Sequence, residues 1–166
     1  MARLVLSDAS PLIGLAIVDG LTWLPDLFGV VWIPPSVHSE VLPGVAARGE
    51  IEIAASVKRK AIRVWQKAIP VATIALPDLD EGETDCIRIA LSNGVSETLI
   101  LMDERAGRAV ATENGIRVAG TAAVIGLAKK RGLIASAKAR FAKLHATDFR
   151  IGANVIQAVL RDVGER

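Results

Sequence analysis

A chain of 166 residues has room for one hydrophobic core, but with 51% hydrophobic residues, 4% aromatic residues and no Tyr, the packing falls to Ala, Val, Ile and Leu. A net charge of +2 does not identify a nucleic-acid partner by itself, so that argument rests on local clusters. The single cysteine, Cys86, excludes an intramolecular disulfide and agrees with a reducing compartment.

Leu4-Val5-Leu6 is a continuous apolar run, as expected for a strand covered on both faces. Ser10-Pro11 reads as an N-cap followed by proline at the first helical position, opening a helix to about Val18 that stops near Asp19-Gly20. Leu21 to Phe28 is a second short helix. Val30 to Ile33 is the next strand, ended by Pro34-Pro35. Pro35 to Leu42 suits a helix stopped by Pro43-Gly44. Ala46 to Ala68 is mostly helical in pattern, although Ile62 to Trp65 also fits an extended segment. Val71 to Leu76 is a short strand or an irregular link. Asp80 to Ser92 is a helix closed by Asn93-Gly94.

Thr98 to Met102 is the clearest strand after the first. Glu104 to Glu113 is a helix closed by Asn114-Gly115. Ile116 to Val118 is a short strand, and Thr121 reads as the cap of a helix running to about Arg131. Ser136 to His145 and Ala153 to Val163 are terminal helices. The alternation of strand and helix predicts an α/β fold with a mostly parallel sheet. Asp8, Pro11 and Asp19 interrupt the N-terminal apolar run, and no apolar stretch reaches the roughly 20 residues of a membrane span. We therefore expect a soluble, cytoplasmic protein with no membrane partner.

Four acids stand out. Asp8 and Asp103 follow apolar strands, Glu40 sits on the helix after the second strand, and Glu83 lies in the first turn of the helix that leads to the Asp103 strand. Singly, each has an ordinary explanation as a cap, a turn former or a dipole partner. Together they are more informative, because ligands of open α/β sheets bind at the carboxyl ends of the strands. A hard divalent cation takes oxygen ligands. With only His38 and His145 and one Cys, zinc is disfavoured, and Mg²⁺ or Mn²⁺ fits the donors.

The segments LVLSDASPLIGLA, VWIPPSVHSEVL, LDEGETDCIRIA and LILMDERAGRAVA, in that order, resemble the four acidic motifs of PIN-domain proteins, close to VapC-like toxins. VAGTAAVIGLAKKRGLI and the tail DFRIGANVIQAVLRDVGE are similar to a PIN subfamily of predicted nucleic-acid-binding proteins. The resemblance implies a three-layer α/β/α PIN-like fold. Residues 1–166 would form a single domain, with 134–166 as a C-terminal helical extension. It also implies an Mg²⁺- or Mn²⁺-dependent endoribonuclease of the toxin type, with a cognate antitoxin, acting on RNA and paired as a homodimer.

On this reading Asp8, Glu83 and Asp103 are the main metal ligands, and Glu40 completes the catalytic acids. Ser10, Asp85 and Glu104 rank second. The third acid is Glu where many PIN proteins have Asp. Lys58, Arg59 and Lys60, grouped with Arg63 and Lys67, and Arg105 with Arg108 are the candidate RNA contacts. Trp23, Trp32 and Trp65 read as core or interface anchors rather than base-stacking platforms. A non-catalytic binding or assembly module on the same fold is the alternative. A phospho-receiver-like domain is disfavoured because no well-placed Lys follows a later strand.

Overall fold

The computed structural model describes residues 2–71, 76 and 78–166. The aliphatic runs form five short strands: β1 (Leu4–Ser7), β2 (Val31–Ile33), β3 (Ile62–Val64), β4 (Thr98–Leu101) and β5 (Arg117–Ala119). They make one parallel sheet in the order β3-β2-β1-β4-β5. The chain starts at the central strand, builds outward through β2 and β3, then returns to the other side of β1 for β4 and β5. The reversal leaves a topological switch point between β1 and β4, where α/β sheets place their ligands.

Nine α-helices are present among the described residues: α1 (Ala9–Ile17), α2 (Leu24–Phe28), α3 (Pro35–Val41), α4 (Glu50–Lys58), α5 (Glu81–Asn93), α6 (Arg105–Glu113), α7 (Thr121–Lys130), α8 (Ala137–His145) and α9 (Ala153–Asp162). A 3-10 turn, Leu21–Trp23, leads into α2. They cover the sheet on both faces, giving the expected three-layer α/β/α arrangement. Because side chains alternate along a strand, each central strand feeds two cores. Val5 and Leu101 pack with Leu12, Leu15, Ile53, Val124 and Phe141 on one face. Leu6 and Ile100 pack with Cys86, Ile87, Ile89 and Val110 of α5 and α6 on the other. Leu6 and Ile100 are fully buried, and truncating either to Ala is worth about 2–5 kcal/mol.

Several element boundaries differ from the sequence reading for local reasons. The Ala46–Ala68 pattern divides into α4 and strand β3, the extended alternative for Ile62 to Trp65 being the one adopted. Lys60, at φ 64°, takes the left-handed conformation that stops the helix, and Ile62 pairs with Val31 in the sheet. The N-cap of α1 is Asp8 rather than Ser10, whose hydroxyl is engaged elsewhere. Gly120, not Thr121, caps α7, because the amide and hydroxyl of Thr121 both bond to Asp103. The Val71–Leu76 reading falls largely outside the described residues.

The last two helices are tied to the body of the protein. Val159 of α9 sits where a side chain on Gly126 of α7 would collide, 2.8 Å from the position of its Cβ. Glu165 caps α8 from the chain's end, accepting hydrogen bonds from Ala137 N at 2.6 Å, Ser136 Oγ at 3.0 Å and Lys138 N at 3.2 Å. His145 Nε2 accepts from Ile151 N at 3.2 Å, which gives this histidine a structural partner that the sequence did not reveal. No single helix among the described residues is long and apolar enough to cross a membrane. Removing the terminal cap by Glu165→Ala is expected to cost about 1 kcal/mol, read as a fall of roughly 2–4 °C in Tm. An unchanged melting curve would show that the cap adds nothing.

Candidate metal centre

The backbone delivers Asp8 to the switch point. Its amide donates to Leu101 O at 2.9 Å, so the end of β1 is pinned to the end of β4 just where α1 begins. The side chain is 4% exposed, and its Oδ1 is buried with no hydrogen-bond partner among the described residues. Opposite it, α5 presents its first turn. Asp80 is the N-cap, and its Oδ1 accepts from Glu83 N at 2.8 Å, satisfying one of the free amides of the helix start. Glu83 is also 4% exposed, and its Oε2 is a second buried oxygen without a partner.

Asp8, Asp80 and Glu83 each offer one carboxylate oxygen such that all three atoms lie within 4.8 Å of one another. Two glycines make this approach possible. A Cβ at Gly82 would lie 2.8 Å from Asp8 Oδ1 and 3.0 Å from Val37 Cγ2. A Cβ at Gly107 of α6 would collide with Glu83 Oε2 and lie 2.7 Å from Met102 Sδ.

The electrostatics follow from this crowding. Burial, followed by the charges of Asp80, Glu40 and Asp103, pushes Asp8 up to about 7 against the opposing pull of the Ala9 amide. Burial and then Asp80 also hold Glu83 well above the usual carboxylate range, with further contributions from Asp8 and Glu104. Glu40, exposed at the rim, is raised by what burial it has and then by Asp80. Burial pushes the Cys86 thiol well above its ordinary range, and the charge of Asp8 adds to this, so Cys86 is an inert core residue.

Asp103 lies beside the group but is held differently. Its Oδ2 accepts from Ser10 Oγ at 2.9 Å and Thr121 Oγ1 at 2.8 Å, and its Oδ1 accepts from Thr121 N at 2.7 Å. Both oxygens are engaged by α1 and α7. The tight group of three therefore has Asp80 where the sequence reading had Asp103. Ser10 acts on Asp103 rather than on the group of three. A cleft of about 380 Å³ beside them is lined by Ser10, Asp103, Glu104 and Arg108.

The remaining candidates separate. Asp85 accepts from Ser36 Oγ at 2.7 Å and so links α5 to α3. Glu104 caps α6 within electrostatic reach of Glu83. Arg105 opens α6 and is exposed. Arg59 donates to Ser56 Oγ at 3.0 Å on its own helix, and Lys58 is exposed at the end of α4. Asp80 was the residue that sequence reasoning missed. The available signal was the Asp-x-x-Glu spacing of a helix cap, which sets a carboxylate at the N-cap beside the acid three residues on.

The chemistry of the three acids fits a divalent cation. Two unpaired buried carboxylate oxygens beside a third acid, with no cation pairing them among the described residues, are oxygen donors lacking a positive partner. The chain matches the model of the DUF3368 family, a PIN domain, over residues 4–165. It belongs to this family, and the match takes in α8 and α9. PIN domains are generally nucleases, and the fold implies nucleic-acid binding. No curated protein and no solved structure gives a significant match.

Two outcomes follow. Between the ordinary 3.8 of Asp8 and its folded value of about 7, the native state keeps a proton that the unfolded chain has released. Metal-free stability should therefore fall as pH rises through that window. Bound Mn²⁺ should raise Tm more at pH 8 than at pH 6, because binding displaces that proton. A metal-induced shift in Tm that is equal at both pH values would contradict this. Gly107→Ala should displace the Glu83 carboxylate and weaken Mn²⁺ binding at least tenfold by calorimetry; unaltered affinity would show that Glu83 is not a ligand.

Proposed function

We propose that this protein is a metal-dependent endoribonuclease whose ion is held by Asp8, Asp80 and Glu83. The observation that carries this reading is the pair of unpartnered buried oxygens, Asp8 Oδ1 and Glu83 Oε2, at the switch point of a PIN-domain fold. Mg²⁺ and Mn²⁺ both suit an all-oxygen donor set. A divalent ion bound there supplies Lewis-acid polarisation of a phosphate oxygen and lowers the pKa of water.

The remaining roles belong to the chain. Ser10 and Thr121 fix the orientation of Asp103, so that this carboxylate bounds the substrate cleft without moving. Glu40, whose carboxyl is raised by burial and by Asp80, is the acid assigned here to accept the proton of the attacking water. Arg108, in the cleft with Asp103, offsets the charge of the scissile phosphate. In the hydrolysis the water oxygen adds to phosphorus as its proton passes to Glu40, the phosphorus–oxygen bond to the leaving nucleoside breaks, and the departing oxygen takes a proton from solvent. The resemblance to VapC-like toxins supports RNA as the substrate, a neighbouring antitoxin as the restraint and a homodimer as the working form.

Asp8→Asn, Asp80→Asn and Glu83→Gln should each lower Mn²⁺-stimulated cleavage of single-stranded RNA at least a hundredfold, with Tm preserved or raised because each relieves repulsion among the clustered carboxylates. Cleavage at the wild-type rate by purified Asp8→Asn would refute the proposal. RNA binding without cleavage by the wild type would favour a non-catalytic module.

A further inference from the structure

A second cleft, of about 830 Å³, contains none of the three clustered acids. Leu6, Trp32 and Arg63 are register partners across β1, β2 and β3, so they share the face of the sheet on which α5 and α6 pack. Those helices cover the β1, β4 and β5 side. Toward β3 the sheet opens into the cleft, whose lining takes in Trp32, all of β3 and the residues Trp65 to Lys67 that follow it.

The cleft combines an aromatic wall with a rim of cations. Trp32 and Trp65 meet edge to face, with ring centroids 5.8 Å apart at 85°. Trp32 is half-buried. Trp65 is 8% exposed and belongs to the core, where it backs the more exposed Trp32 in the lining. Arg3, Lys60, Arg63 and Lys67 line the same cleft, and Lys67 Nζ stands 5.6 Å over the Trp65 ring. The one carboxylate in the lining, Glu97, lies 3.7 Å from Arg3. The basic cluster around residues 58–67 is thus divided by the turn at Lys60, which places Lys60, Arg63 and Lys67 along a strand edge rather than on a helix face.

We propose that this cleft binds an unpaired segment of single-stranded RNA, with a base against the Trp32 ring and phosphates along Lys60, Arg63 and Lys67. Sequence-tolerant binding of single strands uses this pairing of aromatic surface with a basic track. Helix α5 links the two sites. Its first turn carries Glu83, and Asn93 at its other end lines the cleft. A helix of 13 residues is about 20 Å long, so one RNA strand can span both. The cleft would hold substrate on one side of the cut and so favour RNAs with an unpaired flank of that reach.

This inference rests on the ribonuclease reading, and its test separates the two. Fluorescence anisotropy of a labelled oligo(U) 12-mer, in EDTA to prevent cleavage, should show at least tenfold weaker binding by the double variant R63A/K67A. Its log–log salt slope should be smaller by about 1.4, the loss of two phosphate contacts on a single strand. Both side chains are exposed and the loss is one exposed cation–π contact, so Tm should fall by no more than about 4 °C. Binding to wild-type protein should quench tryptophan emission, and Trp32→Phe should reduce that quenching. In Mn²⁺ the double variant should raise KM about tenfold and leave kcat unchanged. Wild-type affinity and slope in the double variant, no binding of oligo(U) by the wild type, or tighter binding of an oligo(dT) 12-mer would overturn the proposal. If the wild type binds through the cleft but never cleaves, the nuclease reading fails and this site stands. If RNA is cleaved and the double variant behaves like the wild type, the converse holds.

Discussion

Like charges packed out of water set the terms for this molecule. Asp8 and Glu83 are both almost fully buried, Asp80 lies between them and the solvent, and two of their oxygens have no partner among the described residues. Burying a carboxylate is costly unless it is protonated, hydrogen-bonded or paired with a cation. The fold responds to this in two ways. Without a cation it holds protons on Asp8 and Glu83 toward neutral pH, and a cation bound there would take their place.

The scaffold around the acids reads as a means of sustaining that arrangement. The reversal of strand order between β1 and β4, which run parallel, brings residues 8 and 103 to adjacent strand ends, and the amide of Asp8 is tied to β4 by a hydrogen bond. Gly82 and Gly107 remove the side chains that would otherwise separate the first turn of α5 from Asp8 and the start of α6 from Glu83. Asp103 is treated in the opposite way. Three donors from α1 and α7 satisfy it, so it contributes fixed charge and shape while its neighbours keep free coordinating capacity.

Much of this was legible in the residues. Apolar runs and helix stops located the strands and most helices, because a parallel sheet buried on both faces leaves continuous aliphatic segments such as Leu4-Val5-Leu6. Asp8 and Glu83 stood out by position. Asp80 did not, since as an N-cap it already had an ordinary role, and only the fold of α5 against β1 reveals its second one. Thr121 was hidden for the reverse reason. It sits one residue past a helix cap, and its use on Asp103 depends on a contact across 18 residues. The extended alternative for Ile62 to Trp65 was open in the residues, but no Gly or Pro marks the stop at Lys60, so the basic residues stood as one cluster rather than along β3.

The account turns on which carboxylates hold the ion. Anomalous diffraction from crystals soaked in Mn²⁺ measures this directly. A single strong peak bounded by Asp8, Asp80 and Glu83 is expected, with Asp103 still bonded to Ser10 and Thr121. A peak centred on Asp103 with Asp80 outside its coordination sphere, or no peak at the switch point at saturating Mn²⁺, would contradict it.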